Sequence, residues 1–564
     1  MNEYLGGEMK AAEYIVKFLE EKDARIVYGL PGYNILEIYE AIRKSSLEHV
    51  LVKHEHSAAV MADVTGRLTL KPGVCLVTAG PGALNTATGV AAAYTAASPM
   101  LHITGHCSSR EKVQPYHGVE DWLFLEKIFA NITKWSKTVD NALELPYHME
   151  KAYHIATSGR KGPVHISLAM DILEVDIQKT LNTYKGELQF GAKDAAKRIA
   201  KKLMELEKPI IVAGKGVLRE NSTMEIEELM EKTYIPALAS RRSRDVIPFN
   251  NKLNIGYTII VGFGNILEDL RKFLEEADGI ITVGLDRGER ESRDIMELSR
   301  SKRIIHIYQE EPPYGEIIED NGRIIEVNTP NLKQLLKELI GEVNGYRSKW
   351  TNLENRIAEL KGKVESDLKE HAYRFSKQKP IHPAYLVQTI KEVVKNDYVI
   401  FTIDVGGSSS WAELYLRQNK PNTLLTSDRF GNMGFTLPAA IAASKVVPEA
   451  NVIGITGDGG MLMTLGEIAT AVEQKSNIKV IVMNDRQYTM IKNIQRSRHG
   501  YPPFQVDIHT PNFDEIAKSF GANGIRIDDP RDLSAILEEA LNIKGPTIID
   551  VHTTNEYESY RYRL

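Results

Sequence analysis

The chain has 564 residues, enough for three or four domains of ordinary size. Its 26% charged and 43% hydrophobic residues are ordinary globular usage, which excludes wholesale disorder and a collagen-like repeat. A formal charge of −5 offers no basic surface for nucleic acid or membranes. The only cysteines, Cys75 and Cys107, cannot build a disulfide framework, and we see neither a secretory signal nor a membrane-spanning apolar run. We therefore expect a cytoplasmic protein.

Short apolar runs alternate with amphipathic stretches along the whole chain, which predicts α/β layers. The runs form three groups, so we predict three doubly wound parallel-sheet domains at 1–177, 193–342 and 375–552, followed by a tail at 553–564. The charged stretch 331–379 predicts one or two exposed helices. The predicted strands are 25–28, 49–53, 74–78, 100–104 and 163–167, then 209–213, 279–283 and 303–307, then 399–403, 452–456, 479–483 and 547–551.

In the first group, Glu55 stands between a predicted strand and a predicted helix. An acid near a helix N-terminus is electrostatically favoured, so a structural role is one interpretation. Further along, Gly80-Pro81-Gly82 follows another strand. Glycine there either forms a plain turn or leaves room for a ligand against the backbone.

In the second group, Gly214-Lys215-Gly216 and Gly284-Leu285-Asp286 follow strands, as nucleotide-binding loops would. No G-x-G-x-x-G follows these strands, so the dinucleotide signal is weak. The segment is also rich in basic residues, which favour either a phosphate site or a solvated face balanced by Glu289 and Glu291. These basic residues are Arg241, Arg242, Arg244, Arg287, Arg290 and Arg293.

The most specific pattern lies in the third group. Asp458 in Gly457-Asp458-Gly459-Gly460 and Asp485 in Asn484-Asp485 each follow a predicted strand, one βαβ step apart. Their carboxylates can converge at the carboxyl edge of the sheet. Two carboxylates and a loop carbonyl provide part of the oxygen shell of Mg²⁺, and the glycines let a phosphate approach the following helix. Gly-Asp-Gly alone is also an ordinary turn, but the spacing of 27 positions favours the metal site.

With this spacing the third segment resembles the thiamine diphosphate (ThDP) enzymes, whose motif is Gly-Asp-Gly followed by Asn-Asn or a close variant. Asn484-Asp485 is a variant that we associate with catabolic, FAD-independent acetolactate synthases. The run 404–411 resembles their diphosphate-facing loop, and 431–440 resembles the segment beneath the cofactor. Residues 28–32 and 54–85 resemble their pyrimidine-binding domain. The chain thus resembles the acetolactate synthase-like enzymes, with pyrimidine-binding, central and diphosphate-binding domains in that order.

The resemblance implies a role for each matching residue. Glu55 would hydrogen-bond the pyrimidine ring and favour the tautomer that takes the thiazolium C2 proton, which requires a buried carboxyl of raised pKa. Met433 would hold the two cofactor rings bent, and Asp458, Asp485 and the Gln487 carbonyl would hold Mg²⁺. The other residues expected at the cofactor are Pro31, Gly32, Gly80, Pro81, Asn85, Gly406, Gly407, Ser408, Asn432, Gly459, Gly460 and Met490. Those expected at the substrate pocket are Tyr33, Tyr116 and Ile491.

One loop departs from the acetolactate synthase pattern. Residues 115–122 lack the expected glutamine and carry His117, which resembles the loop of the 2-oxo acid decarboxylases. His117 is therefore either a candidate catalytic proton donor or a plain surface residue. Ile491 stands where pyruvate-type decarboxylases carry a glutamate, which favours the synthase side.

The resemblance implies ThDP- and Mg²⁺-dependent decarboxylation of a pyruvate-like 2-oxo acid, with carboligation to a 2-hydroxy-3-oxo acid such as acetolactate. The alternatives are a non-oxidative decarboxylase giving an aldehyde, a 2-hydroxyacyl-CoA lyase-type enzyme, and a catalytically idle ThDP-binding scaffold. In relatives the central domain binds FAD or ADP or nothing. Here an empty domain is the default expectation, with FAD, ADP or CoA as alternatives.

The expected active site draws on two domains. Because Glu55 and Asp458 lie in different domains, the family arrangement implies active sites between the subunits of a homodimer or homotetramer. The tail, rich in Tyr and Arg, would either cover a pocket as a lid or fray. We expect a small 2-oxo acid as substrate, and neither nucleic acid nor a membrane as partner.

Overall fold

Three β-sheets follow one another along the chain, each packed against helices. The computed structural model describes residues 8–111, 113, 115–178, 184, 190–257, 272–286, 301–310, 317–320, 324–394 and 398–556, with the backbone alone at 8, 178, 317–320 and 324. The predicted fold class is confirmed, because the described strands of each large sheet run parallel apart from one antiparallel edge strand in the central sheet.

The first segment contains eight strands and seven helices in its described part. The strands are β1 (Glu8–Lys10), β2 (Ile26–Leu30), β3 (Glu48–Leu51), β4 (Gly73–Val77), β5 (Met100–His106), β6 (Ser136–Val139), β7 (Pro163–Ala169) and β8 (Asp176–Gln178). The helices are α1 (Ala11–Glu21), α2 (Leu36–Arg43), α3 (Glu55–Thr69), α4 (Pro81–Asn85), α5 (Ala87–Ala96), α6 (Phe124–Phe129) and α7 (Leu145–Thr157). Strands β2 to β7 form a parallel sheet in the order β3-β2-β4-β5-β7-β6, and β1 pairs with β8.

The central segment forms a seven-stranded sheet. Its strands are β9 (Pro209–Ala213), β10 (Ala237–Ala239), β11 (Asn254–Tyr257), β12 (Gly279–Val283), β13 (Arg303–Tyr308), β14 (Ile317–Asp320) and β15 (Ile324–Asn328). Its described helices are α8 (Ala192–Leu203), α9 (Lys215–Arg219), α10 (Thr223–Thr233) and α11 (Leu332–Glu342). The strand order is β11-β10-β9-β12-β13-β15-β14. A helix of 21 residues, α12 (Leu353–Tyr373), leads from this segment to the next. The stretch 331–379, where one or two exposed helices are predicted, thus contains two helices, and each of them buries an apolar face.

The third segment forms a six-stranded parallel sheet. Its strands are β16 (Val399–Ile403), β17 (Leu424–Thr426), β18 (Asn451–Gly457), β19 (Ile478–Asn484), β20 (Asn523–Ile527) and β21 (Thr547–His552). Its helices are α13 (Pro383–Val393), α14 (Gly407–Tyr415), α15 (Thr436–Val446), α16 (Asp458–Met463), α17 (Glu467–Glu473), α18 (Thr489–His499), α19 (Phe513–Ser519) and α20 (Leu533–Asn542). The strand order is β17-β16-β18-β19-β21-β20.

The first and third sheets have the same topology. When the strands are numbered within each sheet, both follow the order 2-1-3-4-6-5. The order reverses between β2 and β4 in the first sheet and between β16 and β18 in the third. Open parallel sheets bind ligands in the crevice at such a reversal, outside the carboxyl ends of the strands. The fold therefore provides two equivalent crevices, one in each segment.

Helix α3 joins the first segment to the third. It is buried on nearly all sides, because one side packs on β4 and the other packs on α15. Both helices contain several buried alanines, Ala59 and Ala440 among them, and small side chains let helix backbones approach their neighbours closely. At the end of α3, the Arg67 guanidinium pairs with Asp63 and donates from Nη1 to the Thr426 carbonyl at 2.6 Å. One apolar core thus spans both segments.

Across the described part of the chain, no helix combines the length and the apolar character needed to cross a bilayer. Both cysteines are buried and free.

Candidate functional site

A cavity of about 480 Å³ lies at the carboxyl ends of β16, β18 and β19. The loops that follow these three strands line it, together with the first turn of α18 and the turn 241–244 of the central segment. Among the described residues, the first segment contributes nothing to its wall. The cavity thus occupies the crevice that the strand order of the third sheet predicts.

The loop after β16 is shaped for an anion. Gly406 has φ +105°, and nothing described lies within 4 Å of the position that its Cβ would occupy. Helix α14 begins at Gly407, so the positive N-terminal end of the helix lies at this space. The Ser408 hydroxyl donates to the Asp404 carbonyl at 3.1 Å, which fixes the turn. An open loop at a helix N-terminus suits a phosphate group.

Asp458 and Asp485 both line this crevice, near enough for the charge of Asp458 to act on Asp485. Asp458 accepts from the backbone N–H groups of Gly459 and Arg486, both at 2.7 Å. Asp485 accepts from the Thr489 hydroxyl at 2.6 Å. Burial raises the pKa of Asp458 to about 6, and burial together with the Asp458 charge raises that of Asp485 to about 7. Two carboxylates that repel each other in a buried crevice are stabilised when a cation lies between them.

The rest of the candidate metal shell is sparse. Within the described ranges no group of three or more His, Cys, Asp or Glu side chains could hold a metal ion. Gln487, whose backbone carbonyl is the predicted third ligand, also lines the cavity, and its side-chain amide donates to the Asp507 carboxylate. This donor set fits Mg²⁺, which takes few protein carboxylates and completes its shell with water and substrate phosphates.

The segment that carries Met433 is held by a buried acid. The Asp404 carboxylate accepts from the Gly434 N–H and the Thr456 hydroxyl, both at 3.1 Å. Burial raises the pKa of Asp404 to about 6. Met433 reaches over Gly459, where a Cβ would lie 3.1 Å from the Met433 Cε atom. Neighbouring Asn432 is buried, and both polar atoms of its side chain lack partners among the described residues. No local pattern in the sequence indicates this role of Asp404, since Gly434 and Thr456 are distant from it along the chain.

Glu55 lies in the corresponding crevice of the first sheet. It begins α3, is 9% exposed, and accepts from the Asn85 side-chain amide at 2.9 Å. Gly82 borders it closely, since a Cβ there would lie 3.4 Å from Glu55 Oε1. Gly80 has φ +55°, and a Cβ would meet the His117 carbonyl at 2.5 Å. This glycine is therefore required by the approach of the His117 loop.

The structure brings the predicted residues together in two groups. Around the third-segment cavity lie Gly406, Gly407, Ser408, Met433, Asp458, Gly459, Gly460, Asp485, Gln487, Met490 and Ile491. On the first segment lie Pro31, Gly32, Tyr33, Glu55, Gly80, Pro81, Asn85, Tyr116 and His117, none of which reaches that cavity. Within one chain the crevice of Glu55 and the crevice of Asp458 are thus separate half-sites.

The glycine loops of the central segment pack against each other. The Gly216 N–H donates to the Gly284 carbonyl at 2.8 Å, and a Cβ on Gly216 would lie 2.7 Å from the Gly284 Cα atom. Asp286 pairs with Arg219 at 2.9 Å. Backbone therefore fills the place between β9 and β12 where a nucleotide phosphate would bind. Glu289, Glu291, Arg287, Arg290, Arg293 and the tail from 557 onward lie outside the described residues.

Comparison with known proteins identifies the family. Three family models match in order: thiamine pyrophosphate (ThDP) enzyme, N-terminal TPP binding domain, at 9–125, the central domain at 196–320, and the C-terminal TPP binding domain at 404–551. The chain belongs to the thiamine pyrophosphate enzymes, as its motifs indicated.

Its relatives are named for one activity. The probable acetolactate synthase large subunit of Methanocaldococcus jannaschii is 33% identical over 558 residues, covering 96% of this chain and 92% of that protein. The acetolactate synthase of Bacillus subtilis is 31% identical over 551 residues, covering 96% and 93%. The acetolactate synthase isozyme 1 large subunit of Escherichia coli is 29% identical over 557 residues, covering 97% and 95%.

Proposed function

We propose that the protein decarboxylates a pyruvate-like 2-oxo acid and joins the resulting two-carbon unit to a second 2-oxo acid, as an acetolactate synthase does. The observation that carries this proposal is the third-segment cavity, where an open phosphate loop, a pair of acids and Met433 line one crevice. When bound, ThDP supplies the nucleophilic carbon and the electron sink for this chemistry.

The chain's own residues would bind and orient the cofactor and the substrate. The N–H groups at Gly406 and Gly407 would hold the diphosphate, and the Asn432 amide, buried without a partner among the described residues, fits a polar group of the cofactor. Asp458, Asp485 and the backbone carbonyl of Gln487 would hold Mg²⁺, which would neutralise charge on the bound diphosphate. The apolar side chains of Met490 and Ile491 would line the space for a small acyl group.

Glu55 would hold a proton opposite a ring nitrogen of the cofactor. Its burial and its hydrogen bond from the Asn85 amide to one carboxyl oxygen support this role, because the second oxygen is then available to a ligand. Asn85 would orient the carboxyl. Gly82, which lacks a Cβ, lets the backbone lie close to the second oxygen of the Glu55 carboxyl.

We further propose that the complete active site forms between two copies of the chain, in a homodimer or homotetramer. The separation of the two half-sites within one chain supports this arrangement. Both half-sites also expose apolar side chains, since Tyr33 is 61% and Ile491 49% exposed. Burying them against a second copy would remove water from the reaction centre.

A second candidate function is that of a non-oxidative decarboxylase, which releases an aldehyde. His117 is the residue that favours it. Its ring Nδ1 atom is buried without a partner among the described residues, and its carbonyl contacts Gly80 next to the Glu55 crevice. Such a histidine could deliver a proton to the product.

The domain boundaries 1–177, 193–342 and 375–552 remain our proposal, supported by the three sheets. So does a cytoplasmic location, which the free cysteines support.

The decisive experiment incubates the purified protein with ThDP, Mg²⁺ and pyruvate and follows the products by NMR. Acetolactate supports the proposal, and acetaldehyde moves the protein to the decarboxylase branch. Asp458→Ala serves as the control, because it should abolish Mg²⁺-dependent retention of ThDP. Bound ThDP with no turnover of pyruvate or any longer 2-oxo acid would contradict the proposal and favour an idle scaffold.

A further inference from the structure

The cavity has a basic end that the proposed chemistry does not use. Arg241, Arg242, Arg244 and Arg429 line it together with the phosphate loop and the acid pair. The first three come from the turn after β10, so the central segment supplies this end of the wall. The arginine run that could have formed a solvated face is instead turned toward the candidate active site.

The acids at this end do not balance the arginines. Glu413 accepts from the Arg241 Nε at 2.9 Å, which neutralises one of them. Asp428 lies 3.6 Å from Arg242, but it also pairs with Lys215. These cations, with Arg67 and Arg219 nearby, hold the pKa of Asp428 well below its usual range. Because Asp428 is shared among several cations, this end of the cavity keeps a surplus of positive charge.

Arg244 shows the surplus most directly. Its side chain is 8% exposed, and its Nε and Nη1 atoms are buried with no hydrogen-bond partner in the described part of the chain. The Tyr257 ring, 5.7 Å from the guanidinium carbon, compensates only part of the charge. The fully buried hydroxyl of Ser427, also on the cavity wall, lacks a partner there too. A guanidinium stays charged in proteins, so a buried, unpaired one calls for an anion.

This anion is distinct from the diphosphate. Glu413, which anchors Arg241, lies six residues beyond Gly407 on α14, or about 9 Å along the helix axis. The diphosphate loop is at one end of that helix and the arginines are beside the other. A nucleotide is disfavoured, because backbone fills the crevice between β9 and β12.

We propose that Arg244, with Arg242 and Ser427, binds a second anionic group on the 2-oxo acid that enters this cavity. The inference rests on the proposed function and specifies its substrate class: a 2-oxo acid with a distal carboxylate or phosphonate. Planar guanidinium groups match both anions with paired hydrogen bonds.

A binding experiment tests the inference without turnover. Calorimetry compares 2-hydroxyglutarate with 2-hydroxypentanoate, which has the same chain length, lacks the distal carboxylate and, like its partner, cannot be decarboxylated. We expect wild type to bind the dianion about 10- to 100-fold more tightly, the range of a charge-assisted hydrogen bond. Arg244→Met should abolish this preference, Arg244→Lys should keep part of it, and Ser427→Ala should reduce it about 2- to 10-fold. Arg531→Met, at an exposed arginine paired with Asp529, should leave it unchanged.

Turnover separates this inference from the proposed function. NMR follows wild type and Arg244→Met with 2-oxoglutarate against 2-oxopentanoate, and with 3-phosphonopyruvate against 2-oxobutanoate, each alone and mixed with pyruvate. A preference for either dianion that Arg244→Met removes supports the inference and identifies the distal group. Turnover of pyruvate with no such preference overturns the inference and leaves the proposed function standing. Absence of all turnover contradicts the proposed function, while the calorimetric preference still reports on Arg244.

Two further outcomes would overturn the inference. If Arg244→Met weakens ThDP binding as much as it weakens 2-hydroxyglutarate binding, the arginine serves the cofactor. If ADP binds wild type tightly and Arg244→Met weakly, the basic end is a nucleotide site.

Discussion

The residues around Glu55 position its carboxyl group. Glu55 begins helix α3 and is buried, with Gly82 next to one of its carboxyl oxygens. Asn85 holds one of its oxygens at 2.9 Å, so the other oxygen, next to Gly82, remains for a ligand.

Replacing Glu55 by Gln should keep ThDP bound and slow exchange of its C2 proton by about 10²- to 10⁴-fold, the usual contribution of a positioned acid or base. Hydrogen–deuterium exchange of bound ThDP, followed by NMR, measures this. Glu40→Gln, at an exposed glutamate paired with Arg43, is the matched control. Exchange at the wild-type rate in Glu55→Gln would remove Glu55 from its proposed role.

Because of Asp404, we expect the free energy of unfolding to depend on pH. Burial raises its pKa in the folded protein to about 6, above the ordinary value of 3.8. Between these values the folded state binds more protons than the unfolded state, so stability decreases as pH rises. The stabilisation is fully present below pH 3.8 and is lost as pH passes through 6, by up to about 3 kcal/mol.

Asp404→Asn should therefore flatten the decrease in melting temperature of the cofactor-free protein between pH 4 and pH 7. The variant is expected to melt lower at acid pH, because the amide cannot accept all the hydrogen bonds of the acid. Thermal melts across the pH range, with Asp121→Asn as an exposed control, test this. A slope equal to that of wild type would show that Asp404 does not titrate in this range.

At the scale of elements, α3 connects two segments that are distant in sequence. Asp63 is fully buried and its partner Arg67 also reaches Thr426 in the third segment. A buried carboxylate without its partner is strongly destabilising.

Arg67→Met should lower the free energy of unfolding by about 3–5 kcal/mol, because it leaves the Asp63 charge unpaired. Asp63→Asn combined with Arg67→Met should recover part of the loss, since no buried charge then remains. Chemical denaturation of wild type, Arg67→Met, Asp63→Asn and the double variant measures both effects. If the double variant were as unstable as the sum of the two single variants, the contact to Thr426 would matter more than the ion pair.

The elements show what the sequence could predict. Every predicted strand is present, because apolar runs of five or so residues between polar turns depend on local composition alone. Short strands such as β10 and β17, with three residues each, were not predicted, because three residues are too few to show a pattern of alternating apolar and polar side chains. The location of Asp458 and Asp485 in one crevice was predictable, since neighbouring parallel strands have their carboxyl ends at the same edge of the sheet.

The basic end of the cavity was only partly predictable. The run 241–244 is visible in the sequence, but the direction in which its side chains point depends on contacts with Glu413 and Asp428. Lys215 and Asp428 are 213 positions apart, and no local pattern indicates that they meet. The separation of Glu55 from the cavity likewise depends on how whole segments pack.

At the scale of the molecule, the two half-sites predict complementation between chains. A mixture of Glu55→Gln and Asp458→Ala chains should regain activity, because a mixed dimer has one intact site formed by the two unmutated halves. Random pairing makes about half of the dimers mixed, each with one of two sites intact, so about a quarter of wild-type activity is expected.

Co-expression of the two differently tagged variants and assay of product formation measure this recovery. The unfractionated mixture should have about a quarter of wild-type activity, and the purified mixed dimer, with one of its two sites intact, about half. Mixing two chains that both carry Asp458→Ala is the control and should stay inactive. An inactive mixed species, shown by light scattering to be a dimer, would mean that each site is built within one chain.

The core shared by the first and third segments also determines how the protein is made. Lys53 and His54 donate their backbone N–H groups to Glu467, whose position is 414 residues after Lys53 in the chain. At roughly 5–20 residues per second, a ribosome needs about 20–80 s to synthesise that length. During this time the side of α3 that packs on α15 has no partner from its own chain. Translation rate, rather than the folding rate of the first segment, therefore sets how long the nascent protein needs protection from aggregation.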